Sequence, residues 1–417
     1  GHVEGVFHRD VQVGVKPRFK RYRGPLRATR LSRARPVTSS RAPQRGVAVA
    51  MSGRLVTAAW EQGGRVLAAG SNDGGRRWAR AVAVAPAGKG AQEWPAVAIS
   101  PGGRVTVAWS DLRTGTPRVM YARLLGRRVS RARAIDASAP PPAAQWKPAL
   151  AQGRGAVVHA VWVDERERSA DDDLPQAHVF YARVGQRGPG RRLDTGKPVT
   201  LAERSDNSWA PRVASNGRRV LVTWLDFQAY DWGVFSRLSA DGGASFGKET
   251  RVTSDGSEQE ELADSPAPAL PARGKPLIAW TDWRKRDSAG TRPHQEYDTF
   301  IATPGGRNLQ ADRYGARQVS TFAPSICLGG GGRATVAFQD ASTGRSVVRA
   351  VTVRGAAGGG TFKRGRTRLV SDAGARGGNA WRPQLACSGG RAVAVWEDER
   401  DGPPRLYSSF GSARSLW

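Results

Sequence analysis

The sequence predicts an all-β chain folded as a seven-bladed β-propeller of four-stranded antiparallel blades, and three observations predict it. First, LVTAAWEQ, VTVAWSDLR, VHAVWVDER, VLVTWLDFQ, PLIAWTDWR, ATVAFQDAS and AVAVWEDER are seven copies of one alternating segment. Second, their aromatic residues, Trp60, Trp109, Trp162, Trp224, Trp280, Phe338 and Trp396, recur at intervals of 49, 53, 62, 56, 58 and 58 residues, a period that marks a repeat architecture. Third, apolar residues alternate with period two in each copy, behind GG, NG or RG turns, and helical spacing is nearly absent.

Three more strands surround each copy. Upstream, EWPAVAIS, WKPALAQ, WAPRVAS, FAPSICL and WRPQLAC lead from an aromatic residue and a proline into a short apolar strand. Downstream, RVMYARL, HVFYARV, GVFSRLS, DTFIAT and RLYSSF supply a third strand, and weaker segments such as KPVTLA, ETRVTS and TRLVSD a fourth. Four strands per repeat match a propeller blade, whose radial arrangement protects the sheet edges. The last repeat lacks its fourth strand, since only GSARSLW follows Phe410, while RARPVTSS, Arg33 to Ser40, has the character of the missing one. The N-terminus is therefore expected to complete blade seven, with six blades and a stray repeat as the alternative. This divides the chain into a basic arm over 1–32 and a propeller over 33–417.

The 417 residues carry 65 Lys+Arg against 36 Asp+Glu, a net charge of +29, and 56 of the 65 are arginine. Such a surface attracts polyanions. The arginines are spread over every segment, with one denser run from Lys16 to Arg45, and no helix-turn-helix, zinc-finger or RNP pattern accompanies them, so no specific nucleic-acid reader is expected. No apolar run is long enough for a transmembrane helix. The histidines show no metal-ligand spacing, and Gly329 to Gly332 is followed by no GK[ST]. Neither a metal nor a cofactor is expected, and the chain is expected to be a monomer.

Two octamers punctuate the repeats. SNDGGRRW, Ser71 to Trp78, returns as SADGGASF, Ser239 to Phe246. Between third and fourth strands the chain must turn tightly; Asp73 and Asp241 can accept turn N–H groups, Gly75 and Gly243 permit positive φ, and Trp78 and Phe246 can plug the blade. The pattern S-x-D-G-G-x-x-[WF] resembles the Asp-box, or BNR repeat, of the sialidase superfamily of propellers, and the W-x-D-x-R strands look like those of its bacterial members. The resemblance implies that the boxes are structural and lie on the face opposite the binding site. It also implies an arginine triad beginning in an F/Y-R-I-P motif; KPRFKRYRGP holds the residue types without the order, so no arginine is carried over.

A site is sought where the repeat is broken. Asp111, Asp164, Asp226, Asp282, Asp340 and Asp398, followed in four repeats by Arg113, Arg166, Arg284 and Arg400, are expected to cap their own loops. The loops DERERSADDDLPQAH, DFQAYDWG and DWRKRDSAGTRPHQEYD are not repeated, and they offer Tyr230, Asp231, Glu296 and Tyr297 as the Tyr/carboxylate candidates for catalysis, since sialidases replace one carboxylate of the usual pair by tyrosine. Arg212 and Arg382 are the candidates for anion contact, and Trp209 and Trp381 for stacking on sugars, with Trp94, Trp146 and Phe322 in the same role or as wedges between blades. Two functions remain: an extracellular propeller displaying a glycan- or polymer-binding face, its partner an anionic glycan or polysaccharide, and a glycoside hydrolase of exo-sialidase type with a diverged site. Cys327 and Cys387 stand near the ends of the first strands of blades six and seven, where they either form a bridge or stay as two small buried hydrophobes. A bridge would favour an extracellular or cell-surface location.

Overall fold

In the computed structural model the seven repeats become seven antiparallel four-stranded units, each a blade whose first strand is innermost. The structure describes residues 32–412 apart from 87–89, 139–142, 169–174, 195–207, 229–230, 254–261, 284–296, 313–319, 331, 342–343, 356–361 and 372–377. Blade one runs Arg45–Ser52, Leu55–Gln62, Arg65–Ser71 and Val82–Ala83, and the same up-and-down order repeats around the ring. The first strands pack one on the next from blade to blade, and that of blade seven, Ala380–Ser388, packs on Arg45–Ser52 to close the circle. All regular elements among the described residues are strands.

Closure comes from the predicted strand. Arg35 and Pro36 pair with Ser408 and Tyr407 of the last strand, and the N–H groups of Ser32, Val37 and Gln44 donate to the carbonyls of Phe410, Leu406 and Pro404. Val37 and Gln44 are buried, the latter accepting from the Leu406 N–H through its side chain. Residues 1–31 lie outside the described part.

Burial explains the period. Seven apolar clusters fill the seven gaps between neighbouring blades, and the repeat aromatic of each blade lies in the cluster shared with the blade before it: Trp109 in the gap between blades one and two, Trp60 in the gap between seven and one. All seven aromatic side chains are fully buried. A buried indole needs a partner for its N–H. Trp109, Trp162, Trp224, Trp280 and Trp396 each donate to the aspartate two residues on, at 2.7–3.1 Å, and Trp60 to Gln62 at 3.3 Å. Where the indole becomes Phe338, which has nothing to donate, Asp340 pairs with Arg349 of the adjacent strand. Asp111, Asp164 and Asp398 also take the side chains of Arg113, Arg166 and Arg400, so the W-x-D-x-R element holds its own loop. Arg284 lies outside the described residues.

Both octamers are turns of the expected kind. Ser71 Oγ and Gly75 N meet at 2.9 Å, the N–H groups of Arg76 and Arg77 donate to Asp73 Oδ1 at 3.0 and 2.9 Å, and the second box repeats the pattern through Ser239, Asp241 and Gly243. The second glycine is required twice over. Its φ is +90° at Gly75 and +84° at Gly243, and a Cβ there would crowd Val393 of blade seven and collide with Tyr181 of blade three. The boxes thus clamp each blade to its predecessor, and Trp78 donates to Ser408 at 3.0 Å across the gap. Partial burial pushes the Asp73 carboxyl up, but the N–H and guanidinium of Arg77, the Ser71 hydroxyl and the Arg76 N–H outweigh it and bring it down to about 2. A depressed folded pKa adds stability above the unfolded value, near 3.9, that is lost as pH falls to about 2. Asp73→Ala is expected to cost about 1–3 kcal/mol at neutral pH, because turn N–H groups lose their acceptor, with ligand affinity unchanged. Denaturant titration beside a binding assay checks this; unchanged stability with lost binding would reverse the assignment.

The paired cysteines are bridged: Cys327 and Cys387 form a disulfide with Cα atoms 5.6 Å apart, joining the innermost strands of blades six and seven.

Candidate functional site

The mouth of the channel is shaped by one irregularity repeated in all seven blades. Near its start, each innermost strand shifts register by one bulge, and the residue inside the bulge has positive φ: Gly46 in blade one, then Trp94, Lys147, Ala210, Ser265, Ala323 and Arg382 at 47–54°. Each of these six precedes a proline, a context that disfavours helical backbone, so each bulge stores about 1–3 kcal/mol of strain. In blades one, two and three a contact from the neighbouring blade holds it. The bulge N–H of Trp94 donates to Glu61 Oε1 at 2.7 Å, that of Lys147 to Ser110 Oγ at 3.1 Å, and that of Gly46 to Glu397 Oε1 at 2.9 Å, and all three acceptors occupy the position between the repeat tryptophan and its N–H acceptor. Bulges of this sort re-aim side chains beside functional surfaces.

Two clusters result. On blades two to four, the Lys147 ammonium sits 4.9 Å from the centre of the Trp209 ring and 5.9 Å from that of Trp94, within cation–π range of both. Trp146 meets Trp94 edge to face at 5.5 Å. The three indoles and the lysine are half-buried, so an aromatic face with a cation in it is presented at the mouth. Trp94 is displaced by one residue from its counterparts: it occupies the left-handed position itself, where Lys147, Ala210 and Arg382 stand in their blades, and this brings it beside Trp146 of the next blade.

On blades seven and one, Glu397 is buried, with Arg382 Nη1 at 3.7 Å, and Glu61 stands beside the same Gly46, whose missing Cβ would lie 2.7 Å from Glu61 Oε1. Burial raises Glu61 to about 7; the Trp94 N–H opposes it, the Glu93 and Glu397 charges add to it, and Arg382 opposes it again. Burial pushes Glu397 up too, against Arg382 and the Gly46 N–H. A carboxyl raised this way is more stable neutral, so its contribution to stability is present below about pH 4 and lost as pH rises to about 7. Glu61→Gln keeps an acceptor for the Trp94 N–H. It is expected to gain stability over the native chain between pH 4 and pH 8, by at most about 3 kcal/mol, in urea titrations at the two pH values; a difference independent of pH would contradict the assignment.

Of the residues singled out from sequence, Trp209 joins the aromatic cluster and Arg382 the carboxyl cluster. Arg212 is exposed, one strand position past the bulge of blade four, with Nη1 on the carbonyl of Pro211, and stands three blades from Arg382. Trp381 is half-buried beside Glu397 in the strand register. Tyr297 packs on Phe322 of blade six, ring centres 5.1 Å apart. Asp231 opens the third strand of blade four, its backbone opposite Gln228. Tyr230 and Glu296 lie outside the described residues. Lys147, Glu61 and Glu397 were missed. A signal existed for the glutamates, since the residue after the repeat tryptophan is Glu only in blades one and seven, against Ser110, Val163, Leu225, Thr281 and Gln339 elsewhere. Among the described residues no three His, Cys, Asp or Glu converge as metal ligands, and no helix is long and apolar enough to cross a membrane.

The sequence matches no protein-family model and, at a significant level, no curated protein. Its structure is similar to that of the polysaccharide lyase Uly1, at 10% identity over 88% of this chain and 90% of the other, with a TM-score of 0.54. It is also similar to the α-L-arabinofuranosidase Arb93A from Fusarium graminearum, in complex with an iminosugar inhibitor, at 10% identity over 94% of this chain and 98% of the other, with a TM-score of 0.51. At that identity the likeness is one of fold.

Proposed function

We propose that this chain is an extracellular Asp-box β-propeller that binds a glycan at the mouth of its channel, on the indoles of blades two to four. One observation carries the reading: Trp94, Trp146 and Trp209, on three successive blades, gather half-exposed around Lys147. Flat aromatic surface suits the C–H faces of sugar rings, and tryptophan concentrates binding energy at low conformational cost. The glycan-acting names of the two structural neighbours accord with this, as does the pair of Asp-boxes on the model of the sialidase superfamily. The disulfide between blades six and seven accords with an oxidising, extracellular compartment. A glycan array tests the reading. Retained oligosaccharides should lose about tenfold or more in affinity to Trp209→Ala, a hot-spot truncation of about 2 kcal/mol, and an array without a hit, or hits indifferent to Trp94→Ala and Trp209→Ala alike, would refute it.

A second reading, a glycoside hydrolase of exo-sialidase type with a diverged site, is favoured by Glu61, whose carboxyl at about 7 is poised to give up a proton near neutrality. Turnover of a fluorogenic sialoside that disappears in Glu61→Gln would establish it; no turnover by the native chain removes it.

A further inference from the structure

We propose that the face opposite the mouth docks on an anionic phospholipid bilayer through the third-to-fourth-strand hairpin of blade two, with Leu125 entering the headgroup boundary and the surrounding arginines on lipid phosphates. The inference is independent of the glycan-binding reading.

Three observations carry it. Leu125 is 68% exposed, and among the described residues no other large hydrophobic side chain is left so. A single exposed leucine is ordinary; its setting is not. Leu125 ends the strand Arg118–Leu125 and pairs with Arg128 across a turn of two residues, Leu124 pairs with Val129, and the Ser130 N–H donates to the Arg123 carbonyl at 2.9 Å. The leucine is thus held at the tip of a closed hairpin, in the place that the Asp73 and Asp241 turns take in blades one and four. Next, the hairpin is ringed by cations. Arg104, Arg123, Arg127, Arg128 and Arg131 are all exposed, and none forms an ion pair with a described acid. Three of them, Arg104, Arg123 and Arg128, border an open depression of about 290 Å³ together with Leu124, Leu125 and Val129. Finally, charge is segregated along the blade. Between Gly74 and Val163 the sequence holds three acids, Glu93, Asp111 and Asp136. All three lie at the mouth end, since Gln92 beside Glu93 pairs with Asp111, Asp111 pairs with Arg118, and Arg118 donates to the Asp136 carbonyl. The opposite end of blade two carries arginine alone.

The chemistry selects the partner. A soluble anion would pair with the arginines and leave Leu125 in water, and a neutral apolar partner would bury Leu125 and leave the guanidinium groups without counter-charge. An anionic bilayer answers both, because lipid phosphates suit the arginine fork and the acyl boundary takes the leucine. Interfacial binding scales with buried apolar area plus attraction to anionic lipid. Arginine stems also lie along the apolar boundary while their charged ends stay among the headgroups. Docking on this face leaves the mouth turned away from the membrane.

The test is cosedimentation of the full chain, at physiological salt, with vesicles of phosphatidylcholine alone and of phosphatidylcholine with one third phosphatidylglycerol. The native chain should bind the anionic vesicles more tightly by about tenfold or more. Leu125→Ser, and separately Arg127→Gln with Arg128→Gln, should each weaken that binding about tenfold. The melting temperature should not change, since all three side chains are exposed. A net charge of +29 attracts any anionic surface, so the control is Arg33→Gln with Arg35→Gln, which removes the same charge from the exposed outer strand of blade seven. That pair should change binding by less than about twofold. Insertion is read from a polarity-sensitive dye on Leu125→Cys, whose emission should shift to the blue on anionic vesicles, while the same dye on Thr114→Cys at the mouth end of blade two should not respond. No vesicle binding, binding indifferent to Leu125→Ser, or binding weakened equally by the blade-seven pair would overturn the proposal. Retention of oligo-glutamate that depends on Leu125, with the vesicles unbound, would overturn it in favour of an acidic protein partner.

Discussion

A chain lacking residues 1–44 is expected to fail to close its ring, and to be recovered unfolded or aggregated. The segment from Ser32 to Gln44 supplies the outer strand of blade seven, and without it the strand Arg405–Ser412 becomes an open edge. The carbonyls of Pro404, Leu406 and Phe410 and the N–H of Leu406 lose their partners, at about 1 kcal/mol each by the usual net value of a hydrogen bond. Val37, 2% exposed, leaves the cluster that it shares with Trp60 and Val395, at a further cost of about 1.5–3 kcal/mol. Together these take up much of the roughly 5–15 kcal/mol by which a folded protein exceeds its unfolded state. An exposed strand edge also templates association between chains. The control is a chain lacking only 1–31, which keeps every one of these contacts and is expected to melt with the full chain. Soluble yield and circular-dichroism melting of the two truncations decide the matter; a well-folded, monomeric chain without 1–44 would show that the ring closes by other means.

Breaking the Cys327–Cys387 bridge is the next largest effect. The bridge closes a loop over 60 residues and ties the innermost strands of blades six and seven at the point where they converge. Cross-links over such separations contribute about 2–4 kcal/mol, mostly by restricting the unfolded chain. The double substitution Cys327→Ala with Cys387→Ala is expected to fall by that amount in urea titration. The native protein should melt several degrees lower in reductant, while the double variant should not respond to reductant at all. Blade seven is then held on two sides, by the bridge toward blade six and by the N-terminal strand along its outer edge. Equal stability with and without reductant would show that the bridge contributes nothing.

The blades were legible because each is a local pattern. A buried tryptophan whose N–H is taken by the aspartate two residues on can be read in five of the seven repeats from Trp-x-Asp alone, and the recurrence of the aromatic gave the number of blades. The two octamer turns were legible for the same reason, since Asp73 and Asp241 hydrogen-bond within their own turns. The mouth was not. Lys147 matters because of two indoles that belong to blades two and four, Glu61 because of Trp94 one blade on, and Glu397 because of Gly46 across the seam of the ring. Each of these contacts crosses between blades, and a repeat read one copy at a time does not contain it. The six left-handed residues before proline were hidden too, because that backbone runs against the local preference, and at Trp94 and Lys147 it is held by an acceptor on the neighbouring blade. The aromatic before the first strand was seen in five blades, but the one-residue displacement of Trp94, which makes the cluster, acquires meaning only when its neighbour Trp146 is in place.

Whether the glycan lies across the indoles of blades two to four is decided by a crystal structure of the protein grown with the best-retained oligosaccharide from the array. A sugar ring stacked on Trp94 or Trp209 is expected, with Asp73 and Asp241 far from it on the opposite face. A ligand seated at the turns of Asp73 and Asp241 or on the outer strands, with the mouth of the channel vacant, would contradict it.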